Sequence, residues 1–145
     1  MSTDTAVLAR RWFDEVWGER SDTAIDELSA RDGVLYQADG VRVSLADWRR
    51  FRKELLAAIP DLTVTVEAVV ARGDDAVVRW RMIGTHQGTM FGVAATGRPI
   101  DAHGMTWMRF HDGKIVEGWD GWNVGGLIQE LSQPAAGKAT RSAGG

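Results

Sequence analysis

The apolar positions of the chain change period once, near residue 61, and the change separates a helical half from a stranded half. In STDTAVLARRWFDEVW, cap-type residues precede apolar side chains at Leu8, Trp12 and Val16, with Ala9, Phe13 and Trp17 beside them. That three-to-four spacing predicts an amphipathic helix. After GER, the segment SDTAIDELSA offers Ser21 as an N-cap and Ala24, Ile25 and Leu28 on one stripe, a short second helix ending before Gly33. A brief strand, VLYQA, is expected next. In SLADWRRFRKELLAAIP, Ser44 and Asp47 have capping-box spacing, Trp48, Phe51, Leu55 and Ile59 recur at helical intervals, and Pro60 stops the run.

Beyond Asp61 the period is two. LTVTVEAVV sets Leu62, Val64, Val66 and Ala68 against Thr63, Thr65 and Glu67; ARGDD turns the chain; AVVRWRMIG sets Val78, Trp80 and Met82 against Arg79 and Arg81. These two strands pair as a hairpin. GTHQGTMFGVAATG, rich in Gly and Thr, reads as a loop or as a strand with a mobile crossing segment, a candidate mouth. RPIDAHGMTWMRF then meets KIVEGWDGW through HDG, whose Asp-Gly pair signals a second hairpin. NVGGLIQELSQ reads as a short terminal helix, and PAAGKATRSAGG has the composition of a disordered tail. Helices followed by consecutive antiparallel strands predict an α+β domain over residues 1–132, with the helices packed on a curved, mostly antiparallel sheet that encloses a pocket, and a tail over 133–145.

Composition narrows the chemistry. At 145 residues, 44% hydrophobic and 26% charged, the chain is long enough to bury its own core. A net charge of −3 and pI near 5.6 provide no basic field for nucleic acid. The absence of cysteine excludes disulfides, thiolate metal sites and cysteine nucleophiles, and three scattered histidines make a zinc site unexpected, so neither metal nor cofactor is anticipated. No signal-peptide pattern opens the chain, and no apolar run approaches the roughly 20 residues of a membrane span. A cytoplasmic protein without membrane partners is expected. Seven tryptophans against one tyrosine suit either aromatic packing or the wall of a cavity for a large, flat, apolar ligand.

Two long stretches, VVRWRMIGTHQGTMFGVAATGRPI and MTWMRFHDGKIVEGWDGWNVGGLIQEL, resemble the SnoaL-like polyketide cyclases of the nuclear transport factor 2-like superfamily. The GTH.G turn, ATGRPI, the RF.DGKI.E.WD.W hairpin and the terminal helix fall in the family's order, from about Thr5 to Leu131. The resemblance implies the cone-shaped fold, an enzyme of natural-product (antibiotic) biosynthesis, a small apolar polyketide-like substrate, and a homodimer formed through the sheet. The superfamily also houses isomerases, epoxide hydrolases, dehydratases and binding modules, so fold alone does not fix the reaction.

Period-two geometry places Asp101, His103, Met105 and Trp107 on one side of their strand and Ile100, Ala102, Gly104, Thr106 and Met108 on the other. By the resemblance, the side with the large and polar residues faces the interior. Two registers are open for the partner strand. A three-residue turn with a Gly113 bulge sets Glu117 opposite Trp107, Trp119 opposite Met105 and Asn123 opposite Asp101, and this one is favoured because it brings Asn123 to the functional carboxylate position of related enzymes. A two-residue Asp112-Gly113 turn faces Asp120 and Trp122 inward instead.

On the favoured arrangement, His103 is the general acid or base, since histidine titrates near neutral pH. Asp101 holds its ring, Asn123 donates to developing oxyanion charge, and Glu117 completes the catalytic set. Tyr36, Trp80, Met82, Met90, Met105, Trp107 and Trp119 wall the substrate. The expected reaction is cofactor-independent ring closure, aldol-type by default. Alternatives on the same fold are cyclic-ether formation, cycloaddition, epoxide hydrolysis or a non-catalytic binding or dimerisation module. The epoxide-hydrolase pattern wants an Arg and an acid together on VVRWRMIG, where Arg81 fits but Ile83 occupies the acidic place. Plain structural roles compete at several positions: His103 as a satisfied core residue, Glu117 as a surface partner of Arg109, His86 as a turn-ordering residue.

Overall fold

A computed structural model describes residues 4–134. Helix α1 (Thr5–Arg11) is capped by Asp4, whose carboxylate accepts from the Ala6 amide at 2.8 Å, and continues into a π-helical turn, Trp12–Gly18. The expected single helix therefore changes winding at the point where its tryptophans begin. Helix α2 (Asp22–Leu28) starts from Ser21 as anticipated and buries Ala24, Ile25 and Leu28. Strand β1 (Ser29–Tyr36) begins earlier than expected, directly from the helix end, and pairs with a three-residue strand β2 (Arg42–Ser44) that the sequence pattern did not reveal. A three-residue strand is too short to show periodicity.

Helix α3 (Leu45–Ala58) follows, with the Ser44 hydroxyl accepting from the Asp47 amide at 3.1 Å. Three long antiparallel neighbours come next: β3 (Thr63–Arg72), β4 (Asp75–Thr85) and β5 (Pro99–His111), then β6 (Lys114–Trp122) and helix α4 (Val124–Leu131). The six strands form one sheet in the order β2-β1-β6-β5-β4-β3, antiparallel except where β1 runs parallel to β6. This is the expected α+β architecture, with helices on one face and a hydrophobic core between helices and sheet. Among the described residues, no helix is long and apolar enough to cross a membrane.

Two details of the sheet decide where side chains point. The β5–β6 hairpin closes with a two-residue turn, Asp112 and Gly113, both at positive φ (51° and 78°), the conformation of a type I′ turn. A bulge then shifts the pairing, so that Phe110 faces Ile115 but Arg109 faces Glu117. Downstream, Trp107 lies opposite Trp119, Thr106 opposite Asp120 and Gly104 opposite Trp122. The favoured three-residue turn is thus replaced by the tighter one plus a bulge at Val116. Of the expected tail, Gln133 and Pro134 are described, and the Gln133 carbonyl accepts from Arg98; residues from 135 onward lie outside the described part.

Candidate active site

The inner face of the sheet carries the small residues of β5, which reverses the expected facing. On β4, Val78, Trp80 and Met82 are buried while Arg79, Arg81 and Ile83 are exposed, as the alternation predicts. Cross-strand partners share a face. Because Trp80 pairs with Gly104 and Met82 with Ala102, the inward side of β5 is Ile100, Ala102, Gly104, Thr106 and Met108. The cause is steric. A Cβ at Gly104 would overlap the Trp80 ring and crowd Trp122, so a glycine here lets two indoles cross the strand. A concave wall lined by long side chains from both neighbours needs short ones between them.

His103, Asp101 and Glu117 consequently lie on the outer face. The His103 side chain is 60% exposed and that of Asp101 51% exposed. Asp101 forms a bidentate pair with Arg81 at 2.9 and 2.7 Å, which holds its carboxyl below the usual range. Arg81 thus finds its acid on β5 and on the outer face, while Ile83 holds the place on β4 where the epoxide-hydrolase pattern wants one. His103 stands 3.7 Å from Asp101 and 3.8 Å from Glu67, in solvent. Glu117 accepts from Arg109, the plain structural role considered for it. The wall residues divide likewise. Trp80 and Met82 line the interior, whereas Met105 and Trp107 are exposed and Tyr36 stacks on Trp119 across the outer face, with Arg109 above the Trp119 ring. Met90 is buried in the β4–β5 loop, beside Phe51 and Leu55.

The interior holds two adjoining chambers. The inner one, about 60 Å³, is walled by Trp12 and Trp17 of the π-helical turn, Trp48 of α3, and Trp80, Met82, Thr106 and Met108 of the sheet. The outer one, about 680 Å³, is bounded by Gln37 and Asp39, by Phe91 from the β4–β5 loop, and by Asn123 to Gly125 at the start of α4. Trp48, Phe51, Asp120 and Trp122 border both and form the neck between them. Five of the seven tryptophans therefore surround the cavity.

Asp120 is the ionisable group at that neck. Its remaining accessible surface opens on the chambers, among indole rings. Loss of hydration pushes its carboxyl pKa up, against a smaller opposing effect of the hydrogen bond from Thr106. A chain of hydrogen bonds leads from the wall to this carboxyl. The Trp80 indole can only donate, and it donates to the Thr106 hydroxyl at 2.9 Å; that hydroxyl then donates to Asp120 Oδ1 at 2.7 Å. Oδ1 of the ionised carboxylate is thus engaged by Thr106, and Oδ2 is left without a partner among the described residues, open to take a proton. Asn123, expected on a strand opposite Asp101, instead caps α4, its Oδ1 accepting from Gly126 at 2.9 Å, and borders the outer chamber.

Asp120 was legible only as the less favoured register. The DG turn and the bulge at Val116 offset one another, so even-numbered residues of β6 stay opposite even-numbered residues of β5, and Asp120 faces inward because the Thr106 side of β5 does.

The fold has counterparts among known proteins. AclR of Streptomyces galilaeus, described as a candidate hydroxylase, superposes with a TM-score of 0.79 at 32% identity over 90% of this chain and 97% of its own. IdmH of Streptomyces antibioticus, described as a candidate polyketide cyclase, gives 0.78 at 25% identity over 90% and 100%. A SnoaL-like protein of Jannaschia sp. CCS1 gives 0.81 at 24% identity over 92% and 99%, a likeness of fold. A comparison with curated proteins returns no match. The sequence model of the SnoaL-like polyketide cyclases covers residues 7–131, the whole span from α1 to the end of α4 that builds the two chambers, and the chain belongs to that family.

Proposed function

We propose that the protein is a cofactor-independent cyclase that closes a ring in a polyketide-like molecule, with Asp120 as the general acid and base. The observation that carries this reading is the lone carboxyl at the neck of a tryptophan-walled cavity, with one oxygen engaged by Thr106 and the other open. An aldol closure needs a base to take a proton from a carbon between carbonyls, and an acid to return a proton to the alkoxide formed by enolate attack. One carboxyl does both when its pKa lies closer to the working pH than that of a solvated aspartate. The upward push on Asp120 acts in that direction.

In this mechanism Asp120 Oδ2 takes the carbon-bound proton, the enolate carbon attacks the second carbonyl, and Oδ2 gives the proton to the new alkoxide. The Trp80–Thr106 chain keeps the carboxyl oriented throughout. Apolar walls exclude water that would compete for the enolate.

The test is ring closure on a panel of acyclic and partly cyclised poly-β-ketones, followed by absorbance. Asp120→Asn is expected to lower turnover by about 10²- to 10⁴-fold, the usual contribution of a placed acid or base. Asp101→Asn and His103→Ala, on the outer face, are expected to remain within about threefold of the parent. An active Asp120→Asn protein with an inactive His103→Ala protein would reverse the assignment. A cycloaddition driven by shape would leave all three active and respond to Trp122→Ala.

A further inference from the structure

We infer that the substrate enters with a small, uncharged apolar end that fills the inner chamber, so that its bond-forming carbon stops at Asp120 while its larger planar part occupies the outer chamber. This rests on the reading of the pocket as a substrate site and adds to it which end is recognised and how large that end is.

Three observations lead there. The chambers differ tenfold in volume, about 60 Å³ against about 680 Å³. Water's share of liquid volume is about 30 Å³, so the inner one takes roughly two water-sized groups, an ethyl-sized end. The outer chamber falls within the range of roughly 300–1,000 Å³ usual for small-molecule sites. Second, Asp120 borders both chambers and, among the described residues, is the only ionisable side chain of the inner one; a ligand confined to either chamber alone would lie to one side of it. Third, among the described residues no Lys, Arg or His lines either chamber, and the charges present are the carboxylates of Asp120 and Asp39. A carboxylate-bearing end would meet like charge without a partner, in a site that removes its hydration.

Specificity for the buried end then belongs to residues of the inner chamber that do not reach the neck, notably Val64 and Ile115. Val64 is half-buried and Ile115 fully buried, so the first can be shortened with little cost to folding.

The experiment measures binding of a series of 2-alkyl-1,4-naphthoquinones, from unsubstituted to hexyl, by quenching of tryptophan fluorescence. Affinity is expected to rise about fourfold for each added carbon, the equivalent of one buried methylene, through ethyl, and to fall by butyl. Val64→Ala and Ile115→Ala are expected to move the optimum to a longer chain, and Val64→Ala alone suffices if Ile115→Ala does not fold. The analogue ending in a carboxylate is expected to bind at least tenfold more weakly at pH 7 than its primary amide. A continuous rise through hexyl, a flat series, or an optimum unmoved by Val64→Ala would overturn the inference. Because the readout is binding, it separates from the catalytic reading: an alkyl optimum retained in Asp120→Asn, with turnover unaffected by that change, would sink the acid and base role alone.

Discussion

Asp120 and His103 exchange the roles their residue types suggest. Histidine carries the chemistry most at home near neutral pH, yet here it stands in solvent beside Asp101 and Glu67, while an aspartate occupies the apolar interior. What decides is the environment: desolvation of Asp120 moves its titration upward, whereas Asp101 is held ionised by Arg81. The shift at Asp120 has a consequence for stability. A carboxyl whose folded pKa is raised binds its proton more tightly in the native state than in the unfolded chain. Its unfavourable contribution is absent below the unfolded value, near 3.8, grows as pH rises, and is complete above the folded value. Asp120→Asn removes the ionisation while retaining an acceptor for Thr106. Its melting temperature relative to the parent is therefore expected to be similar at pH 4 and clearly higher at pH 8, measured by thermal unfolding across that range. A constant difference at all pH values would show that Asp120 is not a desolvated carboxyl.

The elements divide between those announced by periodicity and those that tertiary contacts create. Helices α2 and α3 begin at Ser21 and Ser44, and the alternation on β4 separates buried Trp80 and Met82 from exposed Arg79 and Arg81, all as the residue pattern predicts. The π-helical turn is different. Trp12, Phe13 and Val16 are buried there, and the Val16 carbonyl accepts two hydrogen bonds, at 3.2 and 2.9 Å, from Arg52 of α3, a cation only 4% exposed that also pairs with Asp22. Arg52 thereby ties three helical segments at the back of the tryptophan wall. Arg52→Met is expected to lower stability by about 2–3 kcal/mol, the scale of charged hydrogen bonds lost with a carbonyl left unsatisfied, measured by urea unfolding. Nothing in a helical spacing announces that an arginine among RRFRK turns inward, because its partner lies 36 residues away.

At the scale of the whole molecule, the convex face of the sheet remains. It exposes Met105, Trp107, Ile83 and Val70 among alternating ion pairs, Arg79 with Glu67, Arg81 with Asp101 and Arg109 with Asp75. A homodimer through this face is the expectation carried from the family resemblance. It predicts a dimer mass by sedimentation at micromolar concentration, and a monomer after Trp107→Glu, with ring closure retained because the pocket opens on the opposite side. A monomeric parent protein would remove it.

Local pattern by itself determined the order and type of most elements, the α+β class, the caps of α2 and α3, and the β4 alternation, because each depends on neighbours within one turn of helix or one strand. It also supplied the DG turn that closes the β5–β6 hairpin. Tertiary structure alone decided which face of β5 is concave, since that follows from pairing with β4 across a thirteen-residue loop (86–98), and a bulge at Val116 that no residue spacing encodes then put Asp120 on the same face. A single-residue shift in a strand exchanges inside for outside. That exchange is what carried the candidate site from His103 and Asp101 to Asp120 and Thr106.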